Sequence, residues 1–264
     1  MGRQGRSPRL VDLAAGAASN LRHLAPHLAA AGAEEQSWRL LDRDASLLAA
    51  GLTACRAWAE SLGWLVRTAP DTLAIDAPAW RLTARSETAD LAGPGFHRLV
   101  RPGEAVVLSA FLDLVSQPWL EGFAALLANR GAPLLATGSF DGHLAFRPAM
   151  PTDRLVRSHF TAHQQRDKGF GPALGGDAPA ALAVLLRRQR HSVAVRRSPW
   201  LLSAGTDTAL IARLLTGIAQ AATEQDPQSA ATIAHWLAQR CDQLAGGTLR
   251  LAVGHRDLMA FPPP

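Results

Sequence analysis

The side chains in this sequence with types and spacing suited to chemistry fall into three groups. The first is the stretch Val11-Asp12-Leu13-Ala14-Ala15-Gly16-Ala17-Ala18-Ser19-Asn20-Leu21, which runs from apolar residues through small ones into a helical pattern. Small residues let the backbone approach a ligand closely, and the following helix N-terminus offers free amides to polar or anionic groups. The second group is two later carboxylates, Asp42, which ends the apolar stretch in Leu40-Leu41-Asp42-Arg43-Asp44, and Asp90 in Ala89-Asp90-Leu91-Ala92. A carboxylate there either accepts hydrogen bonds from a ligand or caps the next helix. Asp44 is the expected cap, which leaves Asp42 for a ligand; Asp90 reads equally as a ligand contact or a solvated loop charge. The third group is His159 and His163, four residues apart and so on one helix face, followed by Arg166, Asp167, Lys168, Gly169 and Gly171. The histidines and Lys168 are the candidates for proton transfer. No Glu sits between the histidines in an H-E-x-x-H pattern and no third ligand is evident, so no metal is expected. Arg166 and Lys168 suit an acceptor carrying carboxylate or phosphate, and the glycines suit a mobile cover. The competing reading is a polar helix face, with the cations paired to Asp167 or to solvent.

The elements that must position these groups alternate between short apolar runs and longer helical patterns, which predicts an α/β fold with a mostly parallel sheet covered by helices on both faces. Strands are expected at Leu10–Leu13, Ser37–Leu41, Ala105–Ser109, Pro133–Thr137, Val193–Arg196 and Thr248–Val253, the last with an extended tail to Phe261. Leu65–Thr68, Leu73–Ile75 and Arg81–Ala84 read as a third sheet position with a small hairpin added. Helices are expected around Leu21 and Leu24, weakening before Pro26, and over Ala45–Leu62, Trp119–Asn129, Asp153–Gln165, Ala178–Gln189, Thr206–Thr223 and Gln228–Leu244. Residues 147–176 read as an irregular, lid-like insertion in a single domain spanning residues 1–264.

Composition sets the outer limits. The chain has 264 residues, 48% of them hydrophobic and 19% charged, enough for a sizeable core and inconsistent with global disorder. Cys55 and Cys241 stand far apart, which excludes a disulfide framework or a cysteine-rich zinc module. No apolar run approaches the ~18 residues of a membrane span, so no membrane partner is expected. Arg3, Arg6 and Arg9 ahead of Leu10–Ala18 superficially copy a secretory signal, but Asp12 interrupts the apolar stretch and a cytoplasmic protein is expected. The net charge is +5, yet Lys168 is the only lysine and tyrosine is absent. The arginine excess therefore looks compositional. The runs Arg187-Arg188-Gln189-Arg190 and Arg196-Arg197 could track RNA phosphates, but no aromatics interleave with the first, and a solvated face is the better reading. With no G-x-S-x-G elbow, a serine hydrolase is disfavoured. Gly16 is the lone glycine of the first turn, so a dinucleotide site is a poor match.

The turn does resemble motif I of class I S-adenosylmethionine-dependent methyltransferases, acidic-x-Gly-x-Gly-x-Gly. Asp12 takes the acidic place, Gly16 the central glycine, and Ala14 and Ala18 replace the flanking ones. Asp42 matches the family's ribose-binding carboxylate and Asp90 its contact to the adenine amino group. Val107-Leu108-Ser109-Ala110-Phe111-Leu112-Asp113 resembles motif IV, with Ser109 nearest the methyl donor and Phe111 on the wall. Four stations in the right order are far more specific than one.

The resemblance implies a Rossmann-like sheet of seven strands with the last antiparallel, and S-adenosylmethionine as cofactor. It places the cofactor on Asp12, Ala14, Gly16 and Asn20 in the first turn, and on Asp42, Arg43, Asp90, Leu91 and Ser109 at the later strand ends. Phe111, Asp113, Arg166 and Lys168 are the expected substrate contacts. The chain is also similar to a bacterial methyltransferase group of unassigned substrate in which phrases such as Val253-Gly254-His255 recur. A methyltransferase acting on a small-molecule acceptor is expected. The alternatives are a catalytically silent binding module of the same fold, motivated by Ala14 and Ala18, and an RNA methyltransferase. Oligomeric state is not legible.

Overall fold

The computed structural model describes residues 7–93 and 95–264. Arg3 and Arg6 of the signal-like reading lie outside the described residues. Apolar runs supply the strands that are buried on both sides. In β1 (Arg9–Leu13), Leu10 packs into one core while Val11 and Leu13 pack into the other. β1 is flanked in parallel by β2 (Glu35–Asp42) and β6 (Glu104–Ser109), with Leu13 level with Leu41 and Leu108. Beyond β2 come β5 (Trp80–Thr88), parallel to it, and then the antiparallel strands β4 (Thr72–Ala77) and β3 (Leu65–Ala69). Beyond β6 lie β7 (Leu134–Arg147), β10 (Arg250–Phe261) and β8 (Ser192–Arg197), with β9 (Trp200–Ser203) also on β10.

Setting aside β3, β4 and β9, the order is β5-β2-β1-β6-β7-β10-β8, with β10 antiparallel to both neighbours. The order reverses direction between β1 and β6, the place where open α/β sheets bind ligands at the carboxyl ends of their strands. Ten strands stand among the described residues where seven were expected. The surplus is the edge hairpin, which was anticipated, and β9, which was not.

Helices α1 (Ser19–Ala30) and α2 (Ala45–Ser61) cover one face, whose core includes Leu21, Trp38, Leu48 and Cys55. On the opposite face, α3 (Gln117–Arg130) and α5 (Ala178–Arg188) bury Leu120, Phe123, Leu182 and Leu186. Local signals set the helix ends. Asp44 caps α2 by accepting from the amides of Ser46 and Leu47, Ser116 caps α3, and Gly131 ends α3 at φ 57°. Contrary to expectation, α1 runs straight past Pro26. Leu21 and Ala25 are fully buried and Leu28 packs on the same core, so tertiary packing outweighs the hydrogen bond that proline removes.

The other departures are strand lengths. β7 has 14 residues rather than five, and β10 absorbs the extended tail. The two pair from Arg250 opposite Arg147 to Ala260 opposite Leu134. Their outer ends form a ribbon that rises above the sheet, and the polar stretch Ser139–His143 hid it from an apolar-run reading. On this ribbon sit α4 (Asp153–Gln164), α6 (Thr208–Gln225) and α7 (Ala230–Ala245), around a core of their own that includes Phe146, Val156, Leu215 and Trp236. Within the 147–176 segment, α4 stands where a helix was expected over Asp153–Gln165, and it packs on this core.

Candidate active site at the strand ends

The β1–α1 turn is built from left-handed backbone. Ala14, Gly16 and Ala18 have φ of 54°, 50° and 55°, and Ala110 after β6 has φ 50°. L-residues pay about 1–2 kcal/mol for this region, so three alanines hold strain where glycine would be free of it. Tertiary contacts hold the turn in place. The Gly16 amide donates to Asp42 Oδ2 at 2.8 Å, the Ala15 amide donates to the Leu41 carbonyl at 2.9 Å, and a Cβ at Gly51 of α2 would lie 2.9 Å from the Ala17 carbonyl carbon. Only glycine at 51 lets α2 come this close.

A polar chain crosses the strand ends beneath the turn. Asn20 Nδ2 donates to Asp12 Oδ1 at 2.9 Å, and Ser109 Oγ donates to Asn20 Oδ1 at 3.0 Å. Ser109 Oγ also meets the Thr137 hydroxyl at the end of β7. Since the one Ser109 proton goes to Asn20, Thr137 must donate to Ser109. Asp12 is fully buried, and its Oδ2 has no partner among the described residues. Burial pushes this carboxyl up from 3.8 to about 7, helped by the charge of Asp42 and opposed by the Asn20 hydrogen bond.

A cavity of about 430 Å³ opens at this edge, lined by Ala14, Asp42, Arg43, Asp90, Leu91 and Phe111, and closed by Leu114, Lys168 and Phe170. Its size and mixed lining suit a small ligand. Expected site residues from four separate strand ends therefore meet around one space. Asp42 also accepts from the Asp44 amide at 3.0 Å, so it shapes the turn while facing the cavity. Asp90 closes its own loop through the Ala92 amide. Phe170 packs edge-on to Phe111 at 5.2 Å and to Trp119 at 5.9 Å, which sets the 165–174 loop over the cavity.

A larger hollow of about 640 Å³ lies beyond Asp90. Its principal charges are spoken for, because Arg39 bridges Glu87 at 2.8 Å and Glu104 at 2.9 Å, and Arg101 reaches Glu87 at 3.2 Å. It also lacks the strained turn. The smaller cavity is the candidate site.

Other expected residues lie elsewhere. His159 pairs with Asp226 at 3.4 Å and His163 with Glu224 at 3.0 Å, while Arg166 donates to the Glu224 carbonyl. All three tie α4 and the loop after it to the end of α6, and none lines the cavity. Asp113, in the single helical turn Leu112–Leu114, is buried, and its carboxyl is raised by burial against its own amide and the charges of His255 and Lys168. His255 on β10 came to notice only within a recurring phrase. No periodicity could place it, since the β10 register shifts between Val253 and His255 and again between Arg256 and Leu258.

No family model matches the chain, and no curated protein matches it. Solved structures do. The YcgJ protein of Bacillus subtilis is 11% identical, with 99% of this chain and 94% of that one covered at a TM-score of 0.50. A SAM-dependent methyltransferase from Geobacter sulfurreducens in complex with S-adenosyl-L-homocysteine is 15% identical, covering 99% and 87% at a TM-score of 0.42. A phosphoethanolamine N-methyltransferase from Haemonchus contortus is 12% identical at a TM-score of 0.44, and this chain spans 51% of its length. Strand order, the reversal between β1 and β6 and the antiparallel β10 all agree with the resemblance carried by the first turn: the chain has the Rossmann-like fold of the class I S-adenosylmethionine-dependent methyltransferases.

Proposed function

We propose that the protein is an S-adenosylmethionine-dependent methyltransferase acting on a small-molecule acceptor. The observation that carries this reading is the convergence of Ala14, Asp42, Asp90 and Phe111 on one cavity at the sheet's reversal point. In it, Asp42 and Arg43 would hold the ribose, Asp90 and Leu91 the adenine, and the left-handed turn at Ala14–Gly16 would leave room for the amino-acid tail. Bound there, the cofactor would supply an activated methyl group. Positioning and exclusion of water then provide much of the rate, and Phe111, Phe170 and Lys168 close the space in which transfer would occur. Mobility of the 165–174 loop belongs to the same proposal.

The alanines at 14 and 18 favour a second reading, a binding module of this fold without turnover. Both hold a left-handed φ that alanine disfavours, and Ala14 lines the cavity where a ligand would press on the turn. Calorimetric titration with S-adenosylmethionine and S-adenosylhomocysteine tests both readings. Binding that Asp42→Ala weakens at least tenfold supports them, and no binding at millimolar ligand overturns both. Transfer of a labelled methyl group separates enzyme from binder.

A further inference from the structure

We propose that Lys168 selects the acceptor, a small molecule that carries an anionic group, carboxylate or phosphate, on an apolar body. This rests on the methyltransferase reading above and names the substrate class for the same cavity. The argument begins with what the lining has left to offer once the cofactor is placed. Asp42 and Arg43 at the end of β2, and Asp90 and Leu91 after β5, belong to the side assigned to the cofactor. The remaining lining, apart from Ala14 of the turn, is Phe111, Leu114, Phe170 and Lys168. Lys168 is the one charge in that set.

The protein leaves this charge unmatched. The side chain is half-buried, and among the described residues its one hydrogen bond goes to a neutral group, the His163 carbonyl at 3.4 Å. Asp113 feels its charge, yet burial raises the Asp113 carboxyl and no ion pair joins the two. The carboxylate next to it in sequence is already engaged, because Asp167 Oδ1 accepts from the amides of Gly169 and Gly171 at 2.7 and 3.0 Å. Those glycines have φ of 96° and 82°, a backbone open to glycine alone without strain, and they fold the loop around Asp167. That fold sets Lys168 and Phe170 on the cavity. Arg166, the other cation of the loop, donates to the Glu224 carbonyl and stays outside it. A half-buried ammonium beside aromatic rings is favoured when an anion joins it.

Residue type points the same way. Lysine occurs once among 27 lysines and arginines, so a composition that supplies arginine everywhere else does not account for it. An ammonium is a compact charge with three rotatable donors on a flexible stem. It meets a carboxylate or a phosphate without the fixed fork of a guanidinium. Phe111 and Phe170 stand edge-on at 5.2 Å, and Trp119 backs them at 5.5 and 5.9 Å. These rings give the body of the acceptor an apolar surface beside the ammonium.

The test uses the full-length protein, methyl-labelled S-adenosylmethionine and the small-molecule fraction of a cell extract. Wild type should give a labelled product that binds an anion exchanger at pH 8 and, once acidified, a reversed-phase column. Phosphatase that abolishes the first retention identifies a phosphate; amidation that abolishes it identifies a carboxylate. At limiting extract, Lys168→Ala should lose about 10- to 100-fold in rate. The deficit should shrink as extract is raised, because acceptor binding is what the change weakens. Lys168→Arg should recover most of the rate, since it keeps the charge but cannot give up a proton. In both variants S-adenosylmethionine affinity should stay within twofold and the melting temperature should be kept. A labelled product that is neutral or cationic overturns the proposal, as does a Lys168→Ala rate within twofold of wild type. A tenfold loss of cofactor affinity in Lys168→Ala would place the ammonium on the cofactor's own carboxylate and likewise overturn it. Lys168→Arg as inactive as Lys168→Ala would overturn it in favour of proton transfer by the lysine. Cofactor binding without any labelled product also overturns it and favours the binding module. Failure to bind cofactor at all overturns the methyltransferase reading itself.

Discussion

Two buried aspartates meet opposite fates in this molecule. Asp153, at the start of α4, has every oxygen occupied. Oδ1 accepts from Trp236 Nε1 at 2.8 Å and from the Arg240 guanidinium, and Oδ2 accepts from the Met150 amide at 2.9 Å. Arg240 is itself fully buried, lies 4.7 Å from the centre of the Phe146 ring and donates to the Pro148 carbonyl. Asp12, in β1 beneath the turn, has among the described residues one partner and one bare oxygen, and its carboxyl is raised to about 7. The first arrangement clamps α4, α7 and the end of β7 together. The second leaves polar capacity unspent beside a cavity, in a turn that also stores backbone strain. Structure is secured in the helical layer, and responsiveness is kept at the strand ends.

Breaking the satisfied node should have the largest effect. Asp153→Ala strands the buried Arg240 charge and should destabilise the protein by about 3–5 kcal/mol, read as a lowered midpoint in urea; a loss below 1 kcal/mol would erase the contrast. The unsatisfied aspartate predicts the reverse for Asp12→Asn. Because its folded value is raised from 3.8 to about 7, native protein holds a proton that the unfolded chain releases between those values. Stability is therefore full below about pH 4 and declines as pH rises through about 7, on the order of 4 kcal/mol in all. Asp12→Asn should flatten this decline, so that the variant gains on wild type from pH 5 to pH 8 in parallel denaturation series. The smallest effect belongs to the strained turn. Ala14→Gly, at φ 54°, should stabilise by about 1 kcal/mol and should bind S-adenosylmethionine at least as tightly. Destabilisation would mean that the alanine methyl packs usefully where the strain argument counts only its cost.

Much of the site was legible from local pattern. A carboxylate after an apolar run marks a strand end, so Asp42 could be placed at one before any fold was seen, as could Ser109 at the end of its own apolar run, whereas Asp90 was placed by the family resemblance. The Asp44 cap was legible for the same reason. His159 and His163 show the limit of spacing. Four residues apart does put them on one face of α4, but that face meets Asp226 and Glu224 at the end of α6, some 60 residues further along the chain. Pro26 shows the same limit in a helix, where a local rule lost to the packing of Leu21 and Ala25.

The sequence by itself determined where most of the strands and helices lie, though not β9 or the full length of β7, and the chemical type of the residues at each strand end, because hydrophobic periodicity and small-residue turns act over a few residues. Only the tertiary structure decided the burial of Asp12, the pairing of Asp153 with Arg240 and the convergence of Ala14, Asp42, Asp90 and Phe111 on one cavity. Each depends on removing a charge from water and on contacts between residues far apart in the chain. Those exist only after the sheet has closed, and no local pattern encodes them.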